Sequence, residues 1–262
     1  MNKTVVITGA SSGIGLVTAE LFAKNGYRVY DFSRSGKDTP NATHIFCDVT
    51  DNKSVDIAFN KIEGDIDTLV LNAGYGISGA VEFTDNAEAK RQFDVNFFGA
   101  LNCAQAVLPR MRLKNFGNII FVSSVAAVFS IPFQGFYSAS KAAINSLASA
   151  LKQEVKPFNI KVSVVMPGDT KTAFTAHRDK SQKGADVYKS LVHSVTAMEK
   201  DEQSGVSAQK VAQVVFRQAQ KKRPKVLVTV GAKYKLFVFL SKLLPANFAN
   251  NVVGGMYCKK EK

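Results

Sequence analysis

The stretch Thr4-Val-Val-Ile-Thr-Gly-Ala-Ser-Ser-Gly-Ile-Gly15 decides the fold. Its first five residues are apolar or β-branched, as in a strand buried on both faces. Gly9 to Gly15 then supplies a tight, glycine-rich turn. Leu16–Asn25 carries a helical pattern, and Gly26 stands in the helix-stop position. Arg28–Phe32 reads as a second strand. Strand, glycine turn, helix and strand together make a βαβ unit, with the turn at a helix N-terminus. Bare amides and the helix dipole attract phosphate there. Gly9, Ser11, Ser12, Gly13, Ile14 and Gly15 are therefore the candidate cradle for the pyrophosphate of a dinucleotide.

Further strands and helices alternate outward from that unit. Thr43–Cys47, Asp67–Leu71, Asn118–Ser124, Ile160–Met166 and Lys225–Val230 read as strands. Helices are expected from near Asp51, over Thr84–Leu113, over Phe136–Lys156 (ended by Pro157) and over Ser207–Lys221. This order predicts an α/β fold: one doubly wound, Rossmann-type parallel sheet of about seven strands with helices on both faces. Right-handed crossovers would collect the strand C-termini at one edge. Gly9–Gly15, Asn72-Ala73-Gly74, Ser124 and Pro167-Gly168 all fall at such ends.

The second strand ends at Ser33-Arg34. An acid at this point would hold the adenosine ribose of NAD, whereas an arginine suits the extra phosphate of NADP. Asp31 is near, but alternation is expected to point it away from the direction of Ser33. Arg34 can also be read as a solvated loop cation. Asp48, followed by Val49, could hold the adenine amino group or cap the next helix. Asn96 lies inside the long third helix, where asparagine is mildly unfavourable, so a specific task or a buried core hydrogen bond is expected of it.

Tyr137 and Lys141 are four residues apart, one helical turn on one face. A cation beside a phenol favours the phenolate, so the pair can serve as a general acid/base. Ser124 ends its strand thirteen residues before Tyr137 and would bring a hydroxyl to the same edge.

The 262 residues fit one domain, with residues 1–230 as the Rossmann unit and 231–262 as an extension of it. The net charge of +13 is uneven, because residues 207–262 hold 12 Lys/Arg against one acid, Glu261. Nucleic-acid binding is therefore not a property of the whole body, and the basic end lacks a recognised reading motif. Cys47, Cys103 and Cys258 have no metal spacing and suggest a reducing compartment. The three scattered histidines suggest no metal site. No cleavage-site pattern follows the first apolar stretch, so no signal peptide is expected. The uncharged run 115–140 is interrupted by Ser123, Ser124, Ser130, Pro132, Gln134 and Gly135, which favours a strand and loop over a membrane span. A cytoplasmic protein is expected.

Over roughly residues 3–230 the sequence resembles the short-chain dehydrogenase/reductase superfamily. Thr8-Gly-Ala-Ser-Ser-Gly-Ile-Gly15 matches its Thr-Gly-x-x-x-Gly-x-Gly, and Asn72-Ala-Gly74 its Asn-Ala-Gly. Asn96, Ser124, Tyr137 and Lys141 match the catalytic tetrad, and Pro167-Gly168 with Thr172 the motif after the sixth strand. The resemblance implies a nicotinamide dinucleotide, read as NADP(H) from Arg34, with Tyr137 exchanging a proton with the substrate oxygen and Ser124 holding that oxygen. It implies that Lys141 holds the nicotinamide ribose and lowers the Tyr137 pKa. Asn96 would support a water leading to solvent. A homodimer or tetramer through the helices Thr84–Leu113 and Phe136–Lys156 is implied as well. Asp169-Thr170 departs from the apolar residue common after Pro-Gly; a backbone contact from Thr170 would survive, but Asp169 adds a charge of unassigned role. Ser12 is neutral where some NADP-binding members carry a second base, so cofactor choice rests on Arg34.

The connection of about 168–206 is long and contains Phe174, Tyr188, Leu191, Val192, Val195 and Met198. With Ala126, Val128, Phe129, Ile131, Phe133 and Phe136 it predicts an apolar mouth for a bulky lipophilic ketone or alcohol, although several of these residues could be core. The 32 residues after Val230 are similar to the extended tail of the hydroxysteroid and retinol dehydrogenase branch. A 3-oxoacyl thioester reductase is the alternative, and a non-catalytic NADPH-binding regulator a third. Residues 233–257 read as two amphipathic pieces separated by Pro245, flanked by lysines and too short to span a bilayer. They serve either as a flap over the pocket or a partner subunit, or as a peripheral membrane contact.

Overall fold

The computed structural model describes residues 3–258. Seven parallel strands form the central sheet: β1 (Thr4–Thr8), β2 (Arg28–Ser33), β3 (Thr43–Phe46), β4 (Thr68–Leu71), β5 (Gly117–Val122), β6 (Ile160–Pro167) and β7 (Leu227–Val230). Their spatial order is β7-β6-β5-β4-β1-β2-β3. The direction of winding therefore reverses between β1 and β4, where Ile7 sits opposite Val70. A crevice opens at such a reversal, beyond the strand C-termini.

The strands are apolar without alternation because both faces are covered. Val6, Leu69, Leu71, Ile119, Phe121, Val162 and Val164 enter one core, with Cys103, Val107, Ile144 and Ala148 from the helices on that side. Val5, Ile7, Val70, Ile120 and Val165 enter the other, with Phe22, Val211 and Val215. The first core lies under α2 (Asn52–Asn60), α4 (Gly99–Lys114) and α5 (Gly135–Glu154), whereas α1 (Gly13–Lys24) and α7 (Ala208–Gln220) cover the second. α3 (Asn86–Phe93) leads into α4, and α6 (Leu191–Gln203) into α7. Two helices follow β7: α8 (Ala232–Leu240) and α9 (Ala246–Tyr257). They match the two pieces expected around Pro245. Residues 259–262 of the expected extension lie outside the described residues.

Element ends shift by one to three residues from the sequence reading, and one element differs in kind. The single helix expected over Thr84–Leu113 is a 3₁₀ turn at Val81–Phe83, then α3, a π turn at Asp94–Phe98, then α4. One extra residue per turn there rotates the chain. Asn96, fully buried, thereby meets backbone that a regular helix would not present to it.

Phe22 anchors the α1–α7 layer, with its ring centre 4.9 Å from Tyr27 and 5.0 Å from Phe216, both edge-on. Phe22→Ala should lower unfolding free energy by about 3–5 kcal/mol, as large-to-small core changes do. Denaturant titration with an unchanged slope reads this, and a loss under about 1 kcal/mol would contradict the packing described.

Candidate active site

A cleft of about 510 Å³ runs along the strand C-termini. Nearly every residue singled out from sequence lines it: Gly9, Ser11, Ser12, Gly13, Ile14, Ser33, Arg34, Asp48, Val49, Asn72, Ala73, Gly74, Ser124, Tyr137, Lys141, Pro167, Gly168, Thr170 and Thr172. Gly15 and Asn96 are the exceptions, packed behind the wall. A Cβ on Gly15 would stand 2.1 Å from the Gly9 carbonyl oxygen, so no side chain fits there.

The glycine turn is held from two sides. Thr8 Oγ1 accepts the amides of Asn72 and Ala73, both at 2.9 Å. Asn72 Nδ2 donates back to the carbonyls of Thr8 and Gly9, each at 3.1 Å. The Ala10 amide donates to Asp31 Oδ1 at 2.9 Å. Ser12 precedes α1 in extended conformation and makes no side-chain cap, which leaves the first-turn amides of α1 facing the cleft. That terminus fits an anion.

Asp31 and Ser33 share a face, contrary to the orientation expected above, because residues two apart on a strand point the same way. The Ser33 hydroxyl donates to Asp31 Oδ2 at 2.8 Å, and His44 Nδ1 lies 3.3 Å from the same oxygen. Asp31 is buried beneath the Gly36 backbone and its carboxylate is fully engaged. Arg34 is exposed at the cleft edge. The two readings of Asp48 are resolved in part, since Asp51 caps α2 by accepting the Lys53 amide at 3.0 Å. Asp48 accepts from the amide and hydroxyl of Thr50 instead, and its carboxyl pKa is lowered despite burial by those bonds and by the Arg34 charge.

Ser124, Tyr137, Lys141 and Asn96 converge. Ser124 follows β5 and its Oγ accepts the Ala126 amide at 3.1 Å. Tyr137 and Lys141 rise on one face of α5, with Lys141 Nζ 5.7 Å from the centre of the Tyr137 ring. Lys141 is 5% exposed and donates to the Val122 carbonyl at 3.0 Å. Asn96 Oδ1 accepts the Tyr75 amide, and its Nδ2 donates to the Tyr75 carbonyl, both at 3.0 Å. It thereby fixes the backbone after Gly74. A Cβ on Gly74 would sit 3.0 Å from Asn96 Oδ1 and 3.6 Å from Lys141 Nζ, so glycine lets the chain pass close to both.

The electrostatics differ from the sequence expectation. Burial pushes the Tyr137 phenol up to about 12, and the Ser124 hydrogen bond and the Arg178 charge pull it only part of the way back. Burial pulls the Lys141 ammonium down to about 8. Desolvation is the leading influence on both groups. Lys141 Nζ is turned to a backbone carbonyl, and its own charge is disfavoured.

The far end of the cleft is more polar than the aromatic content of residues 126–136 and 168–206 suggests. Phe174 lies against Tyr137, ring centres 5.7 Å apart, and Ala126 and Ile131 line the wall. Leu191 and Met198 belong to the core instead, while Val128 and Val192 face solvent. Gln134, His177, Asp179 and Glu202 line the same end, and none was singled out from sequence. Beside them Arg178, 4% exposed, pairs with Glu202; with the Gln134 amide oriented oxygen-inward, Arg178 Nη2 and Nε donate to that oxygen at 3.0 and 3.2 Å. No motif announces these residues; the loop meets α5 only in three dimensions. Asp169 finds its partner far along the chain, where the Tyr234 hydroxyl of α8 donates to its carboxylate.

Lys141 bears on stability as well. Its folded pKa of about 8 lies below the unfolded 10.5, so the unfolded chain binds more protons between these values. Wild-type stability should therefore rise as pH goes from about 8 to above 10. Lys141→Met should stabilise the free protein at neutral pH by up to about 3 kcal/mol, with the gain vanishing through that window. Denaturant titrations at several pH values read it, and a stability loss at pH 7 would count against a strained ammonium.

The family model for short chain dehydrogenase matches residues 3–183. A 3-ketodihydrosphingosine reductase of Bacteroides thetaiotaomicron is 39% identical over 253 residues, covering 94% of each chain. Human retinol dehydrogenase 8 is 37% identical over 187 residues, covering 66% of this chain and 60% of its own. Among solved structures, ElxO with NADP bound superposes with a TM-score of 0.75 at 25% identity, covering 90% of this chain and all of the other. With a parallel seven-stranded sheet, a glycine turn under α1 and a serine, tyrosine and lysine gathered at its edge, the chain belongs to the short-chain dehydrogenase/reductase family.

Proposed function

We propose that the protein is an NADP(H)-dependent oxidoreductase interconverting a ketone and a secondary alcohol on a bulky lipophilic substrate. The observation that carries this is the convergence of Ser124, Tyr137 and Lys141 at the inner end of a cleft whose outer end carries Arg34. The cleft fits the cofactor: bare α1 amides suit the pyrophosphate, and Gly9 and Gly13 line the turn beside it without side chains. Exposed Arg34 offers a charge to the additional phosphate, while the Asp31 carboxylate is already engaged and unavailable to a ribose. Bound there, NADP(H) supplies or accepts the hydride.

The residues of the chain handle the oxygen and its proton. With its pKa near 12, Tyr137 is protonated at neutral pH and is set to donate to the oxygen of a ketone as negative charge develops on it. The Ser124 hydroxyl, beside the phenol, holds that oxygen in line. Lys141 places a cation under the site, close to Gly74. Asn96 acts on position, through Tyr75 and through Ser140, whose hydroxyl lies 3.2 Å from Nδ2. In the oxidative direction the same proton returns to Tyr137.

A long-chain ketone fits this reading best, given near full-length similarity to a 3-ketodihydrosphingosine reductase; steroid ketones and retinoid aldehydes come next and 3-oxoacyl thioesters last. The family further suggests a homodimer through α4 and α5. A panel of these four substrate classes with NADPH and NADH, followed by absorbance of the reduced nicotinamide, tests the substrate. Turnover of thioesters alone would overturn the lipophilic-ketone assignment.

Tyr137→Phe should lower turnover by roughly 10²–10⁴-fold while NADPH binding stays intact. Activity within a few fold of wild type would remove Tyr137 from the mechanism. Arg34→Ala should weaken NADPH by about ten- to a hundredfold, the worth of a charge-assisted bond, and leave NADH nearly unchanged. Equal losses for both cofactors, or a wild-type preference for NADH, would refute the NADP assignment.

A further inference from the structure

The helix pair after β7 is fastened at its two ends and bare between them. At one end the Tyr234 ring lies on the backbone of Gly168, and its hydroxyl donates to Asp169. At the other, the Tyr257 carbonyl accepts from the Ser194 hydroxyl, and the Tyr257 hydroxyl lies 3.3 Å from Asp201 Oδ2. Between these anchors Leu236, Phe239, Leu243, Phe248 and Val252 are 55%, 60%, 67%, 54% and 49% exposed. Their spacing matters: 236, 239, 240 and 243 form one stripe along α8 and just beyond it, and 248, 252 and 256 one stripe along α9. An apolar surface of this extent normally marks something that covers it.

Charge selects the occupant. Residues 231–258 contain Lys233, Lys235 and Lys242 and no acid. A second copy docked face to face through a two-fold axis would set these lysines against each other. A surface rich in anionic lipid headgroups pairs with them and takes the apolar stripe into its outer layer. Neither helix is long enough to cross: 9 and 12 residues span roughly 14 and 18 Å against a hydrocarbon core of about 30 Å. No helix among the described residues meets the length and apolarity a crossing needs.

We infer that α8 and α9 form a peripheral docking surface for anionic membranes, with the apolar stripes immersed shallowly and the lysines at the headgroups. Because Tyr234 rests on Gly168 and Asp169, which line the cleft, docking sets the substrate end of the site beside the bilayer. The docking is independent of which ketone is turned over.

The test is co-sedimentation of the full chain with vesicles of phosphatidylcholine, with and without phosphatidylglycerol, alongside sedimentation equilibrium without lipid. Wild type should bind the phosphatidylglycerol vesicles, bind phosphatidylcholine weakly, and be released by salt. Lys235→Gln with Lys242→Gln should weaken anionic binding by roughly ten- to thirtyfold, about fivefold per lysine. Phe239→Asp with Leu243→Asp should abolish binding and leave turnover of a small soluble ketone unchanged, since neither residue touches the cleft. Three results would overturn the assignment. They are no wild-type binding to anionic vesicles, unchanged binding by the Asp variant, or a lipid-indifferent wild-type dimer that the Asp variant splits into monomers.

Discussion

The clasp between Thr8 and Asn72 is the contact on which the rest of the site depends. It lies where the sheet reverses its winding, and it spans 64 residues of sequence. The Thr8 hydroxyl accepts two amides of the β4 end, and the Asn72 side chain returns two donors to the β1 end. Four short bonds thus fix two strand ends that regular pairing no longer joins. Gly15 packs directly on the Gly9 carbonyl, so the axis of α1 is set by the same clasp. The direction of the α1 amides, the position of Gly74 and the depth of the cleft all follow.

From that frame the two ionisable groups acquire unequal environments. Lys141 is carried by α5 into the space beneath Gly74, where a carbonyl of β5 is its hydrogen-bond acceptor. A buried ammonium with a neutral partner loses affinity for its proton, and a buried phenol holds its proton more tightly. The free site therefore stores its proton on Tyr137 and keeps Lys141 near its titration point. Any anion entering the cleft would favour the charged lysine, so site charge and ligand charge are coupled by geometry alone.

Local patterns revealed the fold because each strand is buried on both faces and reads as an unbroken apolar run. The glycine turn, Asn72–Gly74, Ser124, Tyr137 and Lys141 were legible because each falls in a short local motif, even where its partner is distant, as Thr8 is from Asn72. The π turn was not legible. Asn96 within Asp94-Val-Asn-Phe-Phe98 signalled a specific task but not the change of winding, which accompanies its bonds to the Tyr75 backbone. Asp31 was misjudged by an error of alternation, and the structure gives it a structural task under the glycine turn. Arg178 and Glu202 were invisible because their meaning lies in a contact between the long connection and α6.

That contact also explains how the substrate end tolerates charge beside the proton donor. Glu202 alone would oppose ionisation of Tyr137, and Arg178 alone would favour it; both act on the phenol. Paired, with Thr175 donating to Glu202 at 2.6 Å, their fields largely offset. The same bonds tie the start of the long connection to α6. A loop whose opposite charges are paired can present Phe174 to the ring of Tyr137 without those charges deciding the pKa of the phenol. Burial then remains the leading influence on that proton, and Phe174 of the loop shares in it. Substrate shape and proton chemistry thus meet at one ring of the cleft.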